Sequence, residues 1–172
     1  FDYGVVRGFH LRLMDAQADP RKDVYYLVME LLSGGSLIEK LRRGPLNAVQ
    51  TVRILKQVGS ALDYANGRGL IHRDLKPGNV LFDGQENAFL TDFGIAKLVN
   101  ETTGLTEEGM TMGTPSYMAP EMWESDVFTP SIDIYALGVL MFEMLTGRLP
   151  FIANTPYRVM NMHINDQPPS VY

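Results

Sequence analysis

The chain has no cysteine, a single tryptophan and no excess of positive charge, and these shortages remove whole classes of function. Without cysteine there is no disulfide framework, no thiolate nucleophile and no cysteine-ligated metal; the composition is compatible with a reducing cytoplasm, the expected location. A net charge of -5 and a sequence pI of about 5.1 argue against a nucleic-acid or anionic-membrane surface. The longest near-continuous apolar run, 134–145, is too short for a bilayer and is interrupted by Glu143, so no membrane segment is expected in this chain. Signal peptide, internal repeat and low-complexity tract are equally absent from view. What is present, 172 residues of which 45% are hydrophobic and 20% charged, suits one globular unit with a real core. The first residue is Phe1 and the last Tyr172, which reads as a piece of something longer.

One stretch organises the rest: His72-Arg73-Asp74-Leu75-Lys76-Pro77-Gly78-Asn79. It packs a candidate base, a cation and an amide suited to a metal into residues that resist helix formation. Pro77 removes a backbone donor and pushes Lys76 away from helical dihedrals, and Gly78 adds backbone freedom, so an ordered loop is expected.

The surrounding elements follow from periodicity and turn chemistry. Phe1 to Val6 reads as a strand ended by Gly8, residues 15–23 as a polar loop, and Val24 to Glu30 as a strand covered on both faces. Ser33-Gly34-Gly35-Ser36 breaks that strand, as a turn or a hinge. Ala48, Val52, Leu55, Val58, Leu62 and Ala65 recur at helical steps and predict an amphipathic helix ending at Gly67 or Gly69. Val80-Leu81-Phe82 and Ala88-Phe89-Leu90 flank the turn-prone Asp83-Gly84, which predicts a hairpin that returns Asp92 to Asn79. Residues 99–116 lack periodicity and read as a long surface loop. Ser131 or Thr129 is expected to cap a helix running to Thr146, apolar nearly all round and therefore buried, and stopped by Gly147. A weaker helix is expected from Thr155 to His163.

Three ordered motifs, His72-Arg73-Asp74 with Asn79, then Asp92-Phe93-Gly94, then Ala119-Pro120-Glu121, together resemble the catalytic half of a eukaryotic-type (Hanks-type) protein kinase. Gly113-Thr114-Pro115-Ser116-Tyr117-Met118, the Asp133-to-Gly138 helix start and Leu145 to Phe151 look most like the Ser/Thr kinases of bacteria. The resemblance implies an α+β, protein-kinase-like fold: residues 1–31 as the end strands of a small lobe, 32–36 as a hinge, and 37–172 as a mostly helical large lobe cut at its C-terminal end. It also implies ATP and Mg2+ as cofactors and protein Ser/Thr hydroxyls as acceptors.

Phosphoryl transfer depends on an in-line hydroxyl and neutralised phosphate charge. By the resemblance Asp74 orients the hydroxyl and takes its proton, Lys76 steadies the phosphate, and Asn79 and Asp92 are oxygen ligands for Mg2+. The backbone of Glu30 and Leu32, after the gatekeeper-like Met29, then reads the adenine edge, Leu81 floors its site and Ser36 faces the ribose. His72, Phe93 and Asp133 are expected to anchor the loop on the buried helix, Gly94 to let the backbone turn, and Glu121 to hold a structural pairing. Lys76 with Thr114 resembles the Ser/Thr pattern, and Gly78 argues against a strong requirement for an upstream arginine on the substrate. Arg73 resembles kinases switched on by phosphorylation of the loop, with Thr106 and Thr111 as first candidates and Thr102 and Thr103 behind them. Self-association for autophosphorylation would follow.

No glycine-rich loop and no strand lysine precede Val24 in these residues, so the chain alone is expected to be weak or inactive even if its parent, which segments outside this chain could tether to a membrane, is active. Two other functions stay open at this level. A truncated pseudokinase would serve as a binding or scaffold module, and a generic α+β ligand-binding domain would owe nothing to kinases. Intact Asp74, Lys76, Asn79 and Asp92 favour the enzyme, since a scaffold has no chemical need for all four.

Overall fold

The computed structural model describes residues 9–10, 28–29, 31–93, 115–123 and 128–171. In chain order its elements are β1 (Phe9–His10), β2 (Val28–Met29), α1 (Leu37–Leu41), α2 (Ala48–Asn66), β3 (Val80–Phe82), β4 (Ala88–Leu90), α3 (Ser131–Thr146) and α4 (Pro156–Asn165). Single 3-10 turns lie at Pro77–Asn79, Pro115–Tyr117 and Pro120–Met122. The expected mixture of helix and strand is present, with two antiparallel pairs, β1–β2 and β3–β4. The strand expected over Phe1–Val6 and most of that over Val24–Glu30 lie outside the described residues.

Helix α2 starts where the Asn47 side chain accepts from the Gln50 amide and the Gln50 side chain accepts from the Asn47 amide. Its buried face is Thr51, Ile54, Val58, Leu62 and Ala65. The second half of the expected stripe is therefore present, but the first half is rotated: Ala48 and Val52 are exposed and Leu55 only half-buried. A period of 3.6 fits either Thr51 and Ile54 or Val52 and Leu55 as the continuation of Val58, and the polar hydroxyl of Thr51 hid the true one. Helix α1 was not expected, although Ser36 followed by Glu39 is a cap signature; the Glu39 side chain accepts from the Ser36 amide at 3.1 Å.

Helix α3 ends at Gly147, whose φ of 72° is a left-handed conformation that favours glycine. Two expectations fail here. Neither Thr129 nor Ser131 caps the helix; Pro130 holds that position, because the two hydroxyls bond to one another at 2.7 Å and Ser131 Oγ donates to Glu121 at 3.0 Å. Nor is the helix buried all round. Ile134 is 55% and Met141 41% exposed, and with Ser131 and Gly138 they form one exposed stripe at helical spacing. Apolar composition shows what a helix tolerates on each face, not whether a neighbour covers it.

The core lies where α2 and α3 face each other beneath the β3–β4 hairpin. It joins Leu37 of α1 to Ile54, Val58 and Leu62 of α2, Val80, Phe82 and Leu90 of the hairpin, and Ala136, Leu140 and Met144 of α3, with Leu75 of the loop among them. No helix among the described residues is long and apolar enough to cross a membrane.

Candidate active site

The loop between α2 and β3 takes its shape from α3. Both oxygens of Asp133, in the first turn of that helix, accept from the loop backbone: His72 N donates to Oδ2 at 2.8 Å and Arg73 N to Oδ1 at 2.9 Å. Asp133 is 1% exposed, so these bonds satisfy a carboxylate that water cannot reach. They also hold Arg73 at φ 65°, a left-handed conformation that a non-glycine residue adopts at a cost of about 1–2 kcal/mol. Asp92 lies at φ 59°, so two of the three such residues among those described belong to this site. The remainder of the loop is less irregular than expected, because Pro77–Asn79 closes one 3-10 turn with Asn79 N donating to Lys76 O at 3.0 Å.

His72 is fully buried. Its Nε2 lies 2.8 Å from Thr91 O, and Asp74 N donates to Nδ1 at 3.3 Å. One neutral tautomer fits both bonds, with the proton on Nε2. Burial pushes the imidazole below its usual pKa, against the bond to the Thr91 carbonyl and the charges of Asp133, Asp74 and Asp92. The ring of Phe93 lies 4.8 Å away at a tilt of 55°. Phe93 and Asp133 thus both meet His72, one at its ring and the other at its backbone.

Asp74 is half-buried, and its side chain gathers the polar groups that follow it. Lys76 Nζ lies 2.7 Å from Oδ2, and Asn79 Nδ2 donates to Asp74 O at 2.8 Å and to Oδ2 at 3.3 Å. Oδ1 has no hydrogen bond among the described residues. Because both Asn79 bonds use its nitrogen, its amide oxygen is left as an acceptor. The hairpin keeps register Val80↔Leu90, and Thr91 N donates to Asn79 O at 2.9 Å, so Asp92 leaves the sheet one residue beyond Asn79's partner. Asn79 and Asp92 are a pair of oxygen donors with no sulfur or imidazole between them, a set that fits a hard divalent cation such as Mg2+. Beside Asp74 lies a small cavity with room for about one water, enclosed by the loop at Arg73 and Leu75, the 117–122 segment and the buried start of α3 at Ile132, Asp133 and Ala136.

Of the residues expected on the adenine side, some are placed. Gly34 N donates to Phe82 O at 2.8 Å, Phe82 N to Gly35 O at 2.9 Å, and Ser36 bridges Leu81, so the segment after β2 is strapped to β3 beside the half-buried Leu81 and Leu32. Glycine is required at position 34, where a Cβ would stand 2.3 Å from Asp83 O. Of Met29 only the backbone is described. Glu30, Gly94, Thr102, Thr103, Thr106, Thr111 and Thr114 lie outside the described residues, as does the expected loop over 99–116 apart from the turn that begins at Pro115. The guanidinium of Arg73 lies 5.4 Å from the ring of Phe128.

The protein kinase domain model matches residues 11–170. The chain belongs to the protein kinase family. Curated relatives of this kinase-family chain are bacterial Ser/Thr kinases. PrkC of Bacillus subtilis is 38% identical over 149 residues, 86% of this chain and 23% of the relative. PknA of Mycobacterium tuberculosis is 42% identical over 145 residues, 84% of this chain and 33% of the relative, and PknD of the same organism is 40% identical over 146 residues, 84% and 22%. The chain therefore spans a third or less of the length of these relatives.

Two polar pairs of this kinase-family chain escaped sequence reasoning. Tyr117 OH donates to Glu143 Oε2 at 2.6 Å, tying the Pro115–Tyr117 turn to α3. Burial first, and the Glu143 carboxylate next, push the tyrosine far above its ordinary range; burial likewise raises Glu143, against the bond from Tyr117. Tyr135 OH lies 2.7 Å from Nδ1 of His163, tying α3 to α4. Burial and then Glu121 raise Tyr135, and burial lowers His163 against the Ser116 carbonyl. The one available signal was Glu143, a lone carboxylate within an apolar helix. A buried acid needs a partner, but periodicity does not reveal which residue supplies it.

Proposed function

We propose that the protein of which this chain forms part is a Ser/Thr protein kinase that transfers the γ-phosphoryl group of ATP to protein hydroxyls. The observation that carries this function is the convergence on Asp74: Lys76 Nζ and Asn79 Nδ2 hold one oxygen, while the other has no hydrogen bond among the described residues. A carboxylate fixed in this way can orient an acceptor hydroxyl and take its proton. In the transfer the hydroxyl oxygen forms the new bond to the γ-phosphorus, the bridging oxygen–phosphorus bond breaks, ADP leaves, and the proton passes to Asp74. Lys76, within 2.7 Å of the same carboxylate, meets the charge of the group in flight.

Asn79 and Asp92 would hold Mg2+, which when bound draws charge from the ATP phosphates. Leu81, Leu32, Ser36 and the backbone of Met29 and Glu30 would form the nucleotide's base and ribose side. Residues 1–31 then correspond to part of a small lobe, 32–36 to the hinge and 37–172 to the large lobe. The Ser/Thr class is supported by Lys76 and by the similarity to bacterial Ser/Thr kinases. Arg73, held beside the base, would pair with a phosphate on the segment that carries Thr106 and Thr111, formed by autophosphorylation between two copies.

One substitution tests the core of this function. Asp74→Asn in the full-length protein is expected to cut transfer to a Ser/Thr substrate by about 100-fold or more while Mg-ATP still binds. Intact-mass analysis after ATP incubation should show phosphate on the wild type and none on the variant. Wild-type activity in the variant would sink the assignment of Asp74. A fully active wild type without loop phosphate would sink the switch alone.

A further inference from the structure

A second recess lies between α1, α2 and the hairpin turn. Its floor is apolar, made by Leu46, Ile54 and Phe82, and its rim carries Lys40, Arg53 and Glu86. It holds about 200 Å3, against about 10 Å3 for the cavity beside Asp74, so it admits a side chain and not only water. The segment that builds one side of it is unusual for this chain. Residues 40–56 include five cations, Lys40, Arg42, Arg43, Arg53 and Lys56, and no acid, although the chain as a whole has a net charge of -5. Two of the five reach the recess. Lys40 pairs with Glu86 and lies 4.4 Å from the centre of the Phe82 ring. Arg53 donates to two neutral oxygens, Gln85 O at 3.3 Å and Asn87 Oδ1 at 3.0 Å, and no carboxylate among the described residues pairs with it. Asp83 acts on it from further off and is itself held by Gln85 and Asn87. Glu86, at φ 64°, is the third described non-glycine residue in the left-handed region; the other two shape the active site.

We infer that this recess is a docking site for an acidic segment of a partner protein: an aliphatic side chain enters between Ile54 and Phe82, and flanking carboxylates meet Arg53 and, in place of Glu86, Lys40. The combination selects the occupant. A bare polyanion has no use for the apolar floor, and an apolar segment without acids leaves the guanidinium of Arg53 without a counter-charge. Glu86 already shows what Lys40 accepts, since its carboxylate occupies from within the place that a partner's carboxylate would take. An exposed ion pair of this kind contributes little by itself, so the exchange costs little. None of the lining residues belongs to the proposed phosphoryl-transfer site, and binding here leaves that site free.

The test uses the full-length protein and a fluorescein-labelled peptide, Gly-Glu-Glu-Leu-Glu-Glu-Gly, which has no serine or threonine to engage the active site, with fluorescence anisotropy as the readout. Saturable binding is expected with a Kd below about 1 mM. Arg53→Gln is expected to weaken it about five- to tenfold, and Arg53→Lys to recover most of the loss. Glu86→Gln, which frees Lys40, is expected to tighten it about two- to fivefold, a gain that a poorly folded protein could not give. The same peptide with Ala in place of Leu should bind about fivefold more weakly or worse. Absence of saturable binding, wild-type affinity in Arg53→Gln, equal losses for Gln and Lys at that position, or no gain in Glu86→Gln would each overturn the inference. Equal affinity for the Leu and Ala peptides would mean a bare polyanion contact and would overturn it too. Should Arg53→Gln fail to fold, Glu86→Gln and the Ala peptide decide. Binding is read without phosphate transfer, so the outcome is independent of the kinase function proposed above.

Discussion

His72 and His163 both spend their native life neutral and buried, and this couples stability to pH in a defined direction. Each has its folded-state pKa lowered by burial, while in the unfolded chain it titrates near the ordinary value of about 6.5. As pH falls below that value the unfolded state takes up protons that the native state refuses, so the stability of the fold is fully present above about pH 6.5 and declines below it. Glu143 works the other way, since a raised carboxyl binds its proton earlier in the folded state. Two imidazoles against one carboxyl should leave the histidines in control, and the urea midpoint is expected to be lower at pH 5.5 than at pH 7.5. An equal or higher midpoint at pH 5.5 would show that the rings accept protons in place. For His72 the loss is specific, because protonation of Nδ1 removes the acceptor of the Asp74 amide.

At the scale of elements, α3 divides into a packed face and an open one, and substitutions on the two should differ sharply. Leu140 is fully buried against α2 and the hairpin, so Leu140→Ala is expected to cost about 2–5 kcal/mol. Ile134, on the exposed stripe, should tolerate Gln within about 0.5 kcal/mol. Thermal or urea melts of the two variants distinguish a helix with one wet face from one enclosed on all sides. The same helix shows where sequence reasoning stops. The anchoring role of Asp133 came only from the family resemblance, whereas the span of the helix and its glycine stop were legible, because they depend on local propensity. Its cap and its open stripe were not, because both are decided by distant partners, Glu121 for the Ser131 hydroxyl and the unpredictable presence of neighbours for Ile134 and Met141. In α2 the same limit appears as a rotation, with Thr51 inside where Val52 was expected. Loop and hairpin were read well since turn residues constrain them directly; the pairs Tyr117–Glu143 and Tyr135–His163, which join elements far apart in sequence, left almost no local trace.

At the scale of the whole molecule, the 172 residues contain Asp74, Lys76, Asn79 and Asp92, the proposed base, cation and oxygen ligands, but no glycine-rich phosphate loop. With Lys76 as the main phosphate contact, this chain alone should bind Mg-ATP with a Kd near or above about 1 mM. At 1 mM nucleotide that amounts to about 0.4 kcal/mol, a rise in melting temperature of roughly 1–2 °C. The full-length protein, expected to reach a Kd of about 10 μM, should gain about 2.7 kcal/mol and roughly 5–10 °C under the same conditions. A large shift for the short chain would mean that phosphate contacts arise from residues not assigned to them here. The Asp133 carboxylate that grips His72 and Arg73 has a further consequence, in time rather than in space. It follows His72 by 61 residues, so at about 5–20 residues per second the loop emerges from the ribosome about 3–12 s before the group that shapes it. Throughout that interval Asp74, Lys76 and Asn79 are carried on a chain without the Asp133 anchor, and the loop takes its observed shape only when α3 arrives.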